Sequence, residues 1–228
     1  MLYAEPKFRI MGDRAVLVEL GDHINPQINQ KVRELYIGTK GHRIKGIKDL
    51  VPSYRSLMVV YDPLLISLDS LESQMKEIWN GAGHARLPDP RTVEIPVVYG
   101  GNDGPDLEWI ADYHKMAPQD VIRLHTQPTY QVYLIGFMPG YPYMGEVPDE
   151  LATPRRKTPR THVPKGSVGI AQKQTGIYSV ASPGGWQIIG RTPVQLFDPH
   201  KKPPWLLEMG DQVKFCAIAA EEFEEWRP

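Results

Sequence analysis

Residues 136–193 combine many prolines and glycines with aromatic residues, and no generic folding requirement explains this combination. The stretch contains eight prolines and nine glycines. Proline fixes φ and removes an N–H donor, whereas glycine permits positive φ and close backbone approach. Flexible linkers are usually poor in aromatic residues and low in complexity. We therefore predict ordered loops that shape a surface, rather than a linker. The aromatic residues involved include Phe137, Tyr141, Tyr143, Tyr178 and Trp186.

The composition is that of an ordinary globular protein. The chain has 228 residues, 41% of them hydrophobic and 23% charged, with a formal net charge of −1. This length suits one large domain or two small ones. The near-neutral charge predicts no bulk attraction to nucleic acid or to a membrane. The sequence shows no signal peptide and no apolar run near 20 residues, and its single cysteine, Cys216, fits a reducing compartment, so we expect a cytoplasmic protein.

The first part of the chain alternates between strand and helix patterns. Residues 15–20 predict a strand. Asn25 and Pro26 then supply a capping residue and a proline at the first helical position, and apolar residues recur at helical spacing through residues 27–37. We expect the glycines at positions 38 and 41 to end this helix.

The next elements follow the order of a ferredoxin-like fold. Residues 44–51 and 57–61 predict two strands, and apolar residues from Leu68 to Ile78 share one face of a helix that ends at Gly81. The order strand, helix, strand, strand, helix resembles a split βαβ, ferredoxin-like unit. Residues 91–98 supply either its closing strand or the start of the next domain.

The composition of the chain changes at Leu87, where LPDPRT resembles a linker and prolines become frequent. After Thr129 nearly all segments predict strands and turns. Many short strands punctuated by glycine and proline favour a closed or sandwiched β architecture. We therefore predict two domains, covering residues 1–88 and 89–228.

A basic run in PRRKTPR is the first candidate for a binding site. Three flanking prolines stiffen the backbone, so the charges are presented in a defined place. The arginine fork matches a carboxylate or phosphate in two parallel hydrogen bonds. The alternative is a solvated loop whose charges pair with the protein's own acidic residues. The run consists of Arg155, Arg156, Lys157 and Arg160.

The segment SPGGWQIIGRTP is the second candidate. Gly184 and Gly185 permit close approach of the backbone to a ligand, and their N–H groups suit an anion. Trp186 then stacks on the ligand and Arg191 pairs with its charge; alternatively, Trp186 only fills the barrel.

Two further segments carry groups that suit a small amide. In QTG, Gln174 and Thr175 offer an amide and a hydroxyl, although an ordinary polar turn explains them equally well. In GFMPGYPYMG, we expect Phe137 to pack in the core and Tyr141 to have the functional role.

The histidines show no metal-binding spacing, so we expect no metal site. His125 and His162 are candidate acids or bases because histidine titrates near neutrality, although structural roles explain both. Cys216 lies in an apolar strand pattern, which predicts a buried thiol. The chain also lacks GxxxxGK[ST] and GxSxG, and its glycine-rich YGGNDGPD is weak evidence for a phosphate site. Such incomplete chemistry indicates one component of a larger enzyme.

Four motifs in this order, GFMPGYPYMG, TPRRKTPRTHVPKGSVGIA, QTGIY and SPGGWQIIGRTP, resemble the signature of the allophanate hydrolase subunit 1 family. The resemblance is strongest over residues 91–199. It implies a cyclophilin-like β-barrel for the second domain, and therefore an α+β fold with an N-terminal ferredoxin-like α/β sandwich. One departure is that Gln172 and Lys173 stand where a glycine is expected.

The resemblance implies ATP-dependent ring opening of 5-oxo-L-proline to L-glutamate by a heteromeric lactam hydrolase, of which this chain is one subunit. The implied partners are a larger C subunit, of the allophanate hydrolase subunit 2 family, and an A subunit that carries the phosphorylation chemistry. ATP is then a co-substrate of the complex and is not bound by a motif of this chain. The implied substrate contacts are Arg155, Arg156, Arg160 and Arg191 to the carboxylate or phosphate, and Gln174 and Thr175 to the ring amide.

The same resemblance leaves two alternatives open. One is a carboxyltransferase-like component of a urea carboxylase or allophanate hydrolase system, with biotin on another chain. The other is an inhibitor of a sensor histidine kinase, in which the proline-rich loops are a docking surface and no reaction occurs.

Overall fold

The structure, a computed structural model, describes residues 1–81 and 87–226. It divides into two compact units, Met1–Asp89 and Pro90–Pro228. None of the helices in the described ranges is long and apolar enough to cross a membrane.

The first unit is a four-stranded antiparallel sheet covered by two helices. The sheet order is β1-β2-β4-β3, and the helices pack against the sheet and against each other. Its elements are β1 (Leu2–Ile10), β2 (Ala15–Gly21), α1 (Pro26–His42), β3 (Ile47–Pro52), β4 (Ser56–Tyr61) and α2 (Leu68–Gly81).

The predicted order of elements from β2 to α2 is confirmed, but the fourth strand comes from an unexpected place. It is β1, which pairs with β2 at the edge of the sheet. Residues 91–98 instead belong to the second unit. Because β1 lies at an edge, most of its side chains are exposed, and it also contains Pro6, so it lacks a clear alternation of apolar and polar residues.

Helix α1 begins as predicted and ends later than predicted. The Asn25 side chain accepts a hydrogen bond from the backbone N–H of Gln27 at 2.8 Å. The prediction that glycines 38 and 41 end the helix was wrong, because α1 continues to His42. A Cβ on Gly38 would lie 2.9 Å from the side chain of Ile78 in α2, so this glycine permits close helix packing.

The second unit is built on a closed barrel, which confirms the predicted β architecture. Seven strands close in the order β10-β7-β6-β13-β5-β12-β9, and β8 pairs with β11 in a separate two-stranded ribbon. The elements are β5 (Thr92–Tyr99), α3 (Leu107–His114), α4 (Pro118–Thr126), β6 (Thr129–Ile135), β7 (Pro142–Gly145), a short 3-10 helix (Asp149–Leu151), β8 (Arg160–Val163), β9 (Ser167–Ala171), β10 (Gln174–Ile177), β11 (Ser182–Gly184), β12 (Gln187–Arg191), β13 (Gln212–Ala217) and α5 (Ala220–Glu225).

Two apolar clusters hold this unit together. The larger one fills the barrel and includes side chains from α3 and α4 as well as from the strands. The smaller one joins the ribbon to the barrel, so it fixes the loops that carry the candidate site. Its buried members are Tyr141, Val163, Ala171, Tyr178, Trp186 and Ile188.

Candidate functional site

The basic run and the Gly-Gly-Trp bend lie side by side. The backbone N–H of Arg156 donates to the carbonyl of Gly185 at 2.8 Å. Arg160 in β8 is the pairing partner of Gly184 in β11. We call residues 154–160 the basic loop. The ribbon therefore brings two segments that are far apart in sequence to one place on the second unit.

A buried carboxylate that the sequence analysis did not single out organises this loop. Asp106 precedes α3 and accepts two hydrogen bonds from Arg160, at 2.8 and 2.9 Å, and one from Nη1 of Arg156 at 3.1 Å. The backbone N–H of Ile188 donates to the same carboxylate at 2.6 Å. In the sequence, Asp106 is the last residue of YGGNDGPD and stands directly before a predicted helix, a position typical of a helix-capping residue. The side chain makes no capping hydrogen bond.

The other two basic residues of the loop are exposed. Arg155 lies close enough to Tyr143 for its positive charge to oppose the effect of burial, which raises the pKa of that phenol. Lys157 has no hydrogen-bond or ion-pair partner in the part of the chain that the structure describes. The loop therefore presents positive charge beyond what Asp106 neutralises.

Arg191 is not part of this arrangement. It ends β12, four residues beyond Gln187, which corresponds to about 13 Å along a strand. Its Nε donates to the carbonyl of Lys165 at 3.0 Å, and its Nη1 lies 3.4 Å from the Asp103 carboxylate. The guanidinium also stacks over Phe223. These contacts hold Arg191 against a different part of the unit.

The aromatic residues near the loop form a packed cluster. Tyr141 is 1% exposed, and its ring centroid lies 5.3 Å from that of Tyr178 and 5.9 Å from that of Trp186. Trp186 is also buried, but it belongs to the smaller cluster that joins the ribbon to the barrel and not to the larger cluster that fills the barrel. The prediction that Phe137 packs in the core was wrong: it is 65% exposed and has a φ of 66°.

His125 and Thr175 meet inside the barrel, far from solvent. The Thr175 hydroxyl donates to the carbonyl of Gly169 at 3.1 Å, so it accepts from Nε2 of His125 at 2.9 Å. Nδ1 of His125 then accepts from the Tyr99 hydroxyl at 2.8 Å. Burial lowers the pKa of His125 to about 3. The imidazole is therefore neutral and fully hydrogen-bonded, as is typical of a structural histidine.

The turn between β9 and β10 contains a residue in the left-handed conformation that glycine favours, although that residue is not a glycine. Gln172 has a φ of 54°, in the left-handed region. In the following strand, Nε2 of Gln174 is buried and has no hydrogen-bond partner among residues 1–81 and 87–226. Of the predicted pair, Thr175 therefore has hydrogen-bond partners for its hydroxyl, whereas the side-chain amide nitrogen of Gln174 has none among the described residues.

His162 is exposed on β8, within the ribbon. Within the described ranges, no group of three His, Cys, Asp or Glu side chains is placed to hold a metal ion.

A cleft of about 330 Å³ lies where α3 faces the basic loop. Trp109 of α3 forms part of its wall, and it was not predicted as a site residue. The cleft is lined by Asp106, Trp109, Arg156, Lys157, Thr158 and Gln187.

Comparisons with known proteins agree with the resemblance seen in the motifs. The chain is 46% identical to the 5-oxoprolinase B subunit of Haemophilus influenzae, over 86% of this chain and 92% of that protein. It is 39% identical to the 5-oxoprolinase B subunit of Bacillus subtilis, over 95% of each. Among solved structures, TTHA0988 superposes with a TM-score of 0.80 at 35% identity, over 91% of this chain but only 40% of that chain.

A more distant likeness shows the fold alone. The urea carboxylase of Kluyveromyces lactis has a TM-score of 0.77 at 22% identity, and the match covers 96% of this chain and 22% of that chain. The family model described as carboxyltransferase domain, subdomain C and D, matches residues 6–207. The chain therefore belongs to this carboxyltransferase domain family, and over most of its length it is similar to the B subunits of 5-oxoprolinase.

Proposed function

We propose that this chain is the B subunit of a heteromeric 5-oxoprolinase, which opens 5-oxo-L-proline to L-glutamate with hydrolysis of ATP. The observation that carries the proposal is the likeness to relatives of that name, at 39–46% identity over 86–95% of the chain. We also propose two partner subunits: a C subunit, which completes the reaction centre, and an A subunit, which carries out phosphorylation.

The reaction has two separate steps, activation of the lactam and its hydrolysis, which different subunits can carry out. A lactam carbonyl is a poor electrophile, and transfer of the ATP γ-phosphoryl group to the carbonyl oxygen activates it. Water then adds to the carbonyl carbon, and the ring C–N bond breaks as the nitrogen takes up a proton, which leaves γ-glutamyl phosphate. A second water hydrolyses this acyl phosphate to the glutamate carboxylate and phosphate. This chain has no P-loop motif, so we assign the nucleotide to a different chain of the complex and the binding of the substrate's anionic groups to this one.

The geometry favours different roles for the residues predicted from the sequence. Arg156 and Arg160 hold the basic loop in place through Asp106, and the remaining positive charge of the loop suits a substrate carboxylate or phosphate. His125 and Tyr141 are buried, which favours structural roles. His162 has the accessibility that a proton-transfer residue needs.

Reconstitution tests the proposal. The chain should be combined with the A and C subunits of the same organism and supplied with 5-oxo-L-proline and ATP, and the release of glutamate and ADP measured. We expect turnover by the complete set and none by this chain alone. Turnover by the chain alone, or its absence in the complete set, would contradict the proposal.

A matched pair of variants links turnover to the basic loop. Arg156→Gln should lower kcat/KM of the complete set by at least about tenfold, because it removes both a charge that lines the cleft and an ion pair that holds the basic loop to Asp106. Arg123→Gln removes an exposed arginine that pairs with Asp120 on α4, so it should leave kcat/KM unchanged.

A second candidate is a component of a urea carboxylase, with urea or a related amide as substrate and biotin on another chain. It rests on the fold shared with the Kluyveromyces lactis enzyme, and a shared fold does not determine function. ATP hydrolysis dependent on urea and bicarbonate, in place of 5-oxo-L-proline, would favour it.

A further inference from the structure

We propose that the cleft between α3 and the basic loop binds a small ring that carries a carboxylate, with Trp109 as the surface on which the ring stacks. This inference rests on the proposed function, since it places the substrate of that function and takes 5-oxo-L-proline as the probe. It goes further in naming a site and in giving roles to Trp109, Lys157 and Gln187.

The size of the cleft favours a small ligand. Its volume of about 330 Å³ lies at the lower end of the ~300–1,000 Å³ typical of small-molecule sites. A ring with one or two substituents fits this volume better than a nucleotide does. One lining residue, Asp106, is held to the barrel by a hydrogen bond from the backbone N–H of Ile188 in β12.

The charges that line the cleft favour an anion. The negative charge of Asp106 is balanced by two hydrogen bonds from Arg160, which is not among the lining residues. Arg156 gives one hydrogen bond to Asp106 through Nη1, and its side chain lines the cleft and is 35% exposed, so part of its charge is accessible there. The exposed Lys157 adds a second positive charge. A carboxylate in the cleft would gain charge-assisted hydrogen bonds from this edge.

Trp109 supplies a flat apolar wall. Trp109 lines the cleft and is 45% exposed. Tyr113, one turn later in α3, stacks on it at 5.2 Å between centroids and an interplanar angle of 21°. This stacking holds the indole in place, and a bound ring would cover apolar surface that is otherwise open to water.

Gln187 adds an acceptor for a ring N–H. Its side chain is buried at the start of β12, and its Nε2 donates to the carbonyl of Pro154 at 3.1 Å. Because the amide nitrogen faces that carbonyl, the amide oxygen is left as an acceptor on the other side. A lactam offers an N–H beside its carboxylate-bearing carbon, so the cleft matches both polar groups of 5-oxo-L-proline.

Binding is measured on the full chain by calorimetry, with the indole N–H signals of its five tryptophans followed by NMR. We expect 5-oxo-L-proline to bind and to shift the Trp109 signal. 2-Pyrrolidinone, which lacks the carboxylate, and 5-oxotetrahydrofuran-2-carboxylate, in which a ring oxygen replaces the N–H, should each bind at least about tenfold more weakly. Failure of 5-oxo-L-proline to bind either the chain or its complex with the A and C subunits would overturn the inference, as would equal binding of the three compounds.

Variants separate this site from the proposed function. Trp109→Leu and Lys157→Gln should each weaken binding about tenfold and raise KM in the complete complex. The controls are Trp205→Phe, at a tryptophan of similar exposure (42%), and Lys201→Gln, at another exposed lysine, and both should retain wild-type affinity. If the complex turns over 5-oxo-L-proline with an unchanged KM in both cleft variants, the inference about the cleft is wrong, while the proposed function is supported.

Binding without turnover would separate the site from the proposed function in the opposite direction. If the chain binds 5-oxo-L-proline in the cleft but the complete complex does not turn it over, the site stands and the proposed function fails. If the two cleft variants prevent assembly with the partner subunits in size-exclusion chromatography and leave 5-oxo-L-proline binding intact, the cleft is an interface between subunits and the inference is wrong.

Discussion

Arg160 and Asp106 form a two-pronged ion pair, with distances of 2.8 and 2.9 Å between the guanidinium nitrogens and the carboxylate oxygens. The carboxylate is nearly inaccessible to solvent, and it also binds Arg156 and the backbone of Ile188. One residue at the start of α3 therefore fixes the basic loop to the barrel.

Replacing Asp106 with Ala should destabilise the barrel unit strongly. The substitution leaves two partly buried guanidinium groups and one buried backbone N–H without their acceptor, and removal of one partner from a buried ion pair costs about 3 kcal/mol or more. The measurement is the free energy of unfolding by chemical denaturation. Asp120→Ala breaks an exposed ion pair and should cost less than about 1 kcal/mol. Equal losses in the two variants would argue against this role of Asp106.

The two glycines of the bend should respond differently to alanine. A Cβ on Gly184 would overlap the Tyr178 hydroxyl, whereas a Cβ on Gly185 would lie 3.6 Å from Pro159, an ordinary contact. Gly184→Ala should therefore cost about 1–3 kcal/mol through overpacking, and Gly185→Ala less than about 1 kcal/mol. Thermal unfolding of both variants checks this, and a larger loss for Gly185→Ala would refute it.

Acid should destabilise the fold through His125. Its pKa is about 3 in the folded chain, against about 6.5 when exposed, so the unfolded chain takes up the proton first. Its contribution to stability is present above about pH 6.5 and is lost as the pH falls towards 3, at up to about 1.4 kcal/mol per pH unit. Denaturation across this range should show a shallower slope for His125→Gln, while the exposed His200→Gln keeps the wild-type slope.

The ring of His125 offers an independent check of the same prediction. In an NMR titration of the folded protein, its signals should remain those of a neutral imidazole down to about pH 4. Protonation near pH 6 without unfolding would contradict the hydrogen-bond chain from Tyr99 to Thr175.

Trp186 and Phe137 should differ sharply in their effect on stability. Trp186 packs against Tyr141 and Tyr143 within the smaller apolar cluster, so Trp186→Ala should cost about 3–5 kcal/mol. Phe137→Ala, at an exposed side chain, should cost less than about 1 kcal/mol. Denaturant titration distinguishes the two, and a similar cost for both would mean that Trp186 does not support the cluster.

Local patterns in the sequence predicted the elements whose formation depends on neighbouring residues. The spacing of Leu71, Met75 and Ile78 predicted α2, and all three side chains are buried. Asn25 predicted the start of α1, because a cap acts within one turn. The short strands between glycines and prolines predicted a closed or sandwiched β architecture, and the family resemblance narrowed this to a barrel. Each of these signals depends on backbone preferences or on a repeat that is visible within a few residues.

The sequence by itself determined the elements from β2 to α2, the α+β class and the family, since these follow from periodicity and from motifs in order. Only the tertiary structure decided that Asp106 meets Arg160, 54 residues away, and Ile188, 82 residues away. It also decided that Tyr141 is buried while Phe137 is exposed. The physical reason is that burial and charge pairing depend on which strands become neighbours when the barrel closes, and no local preference specifies that.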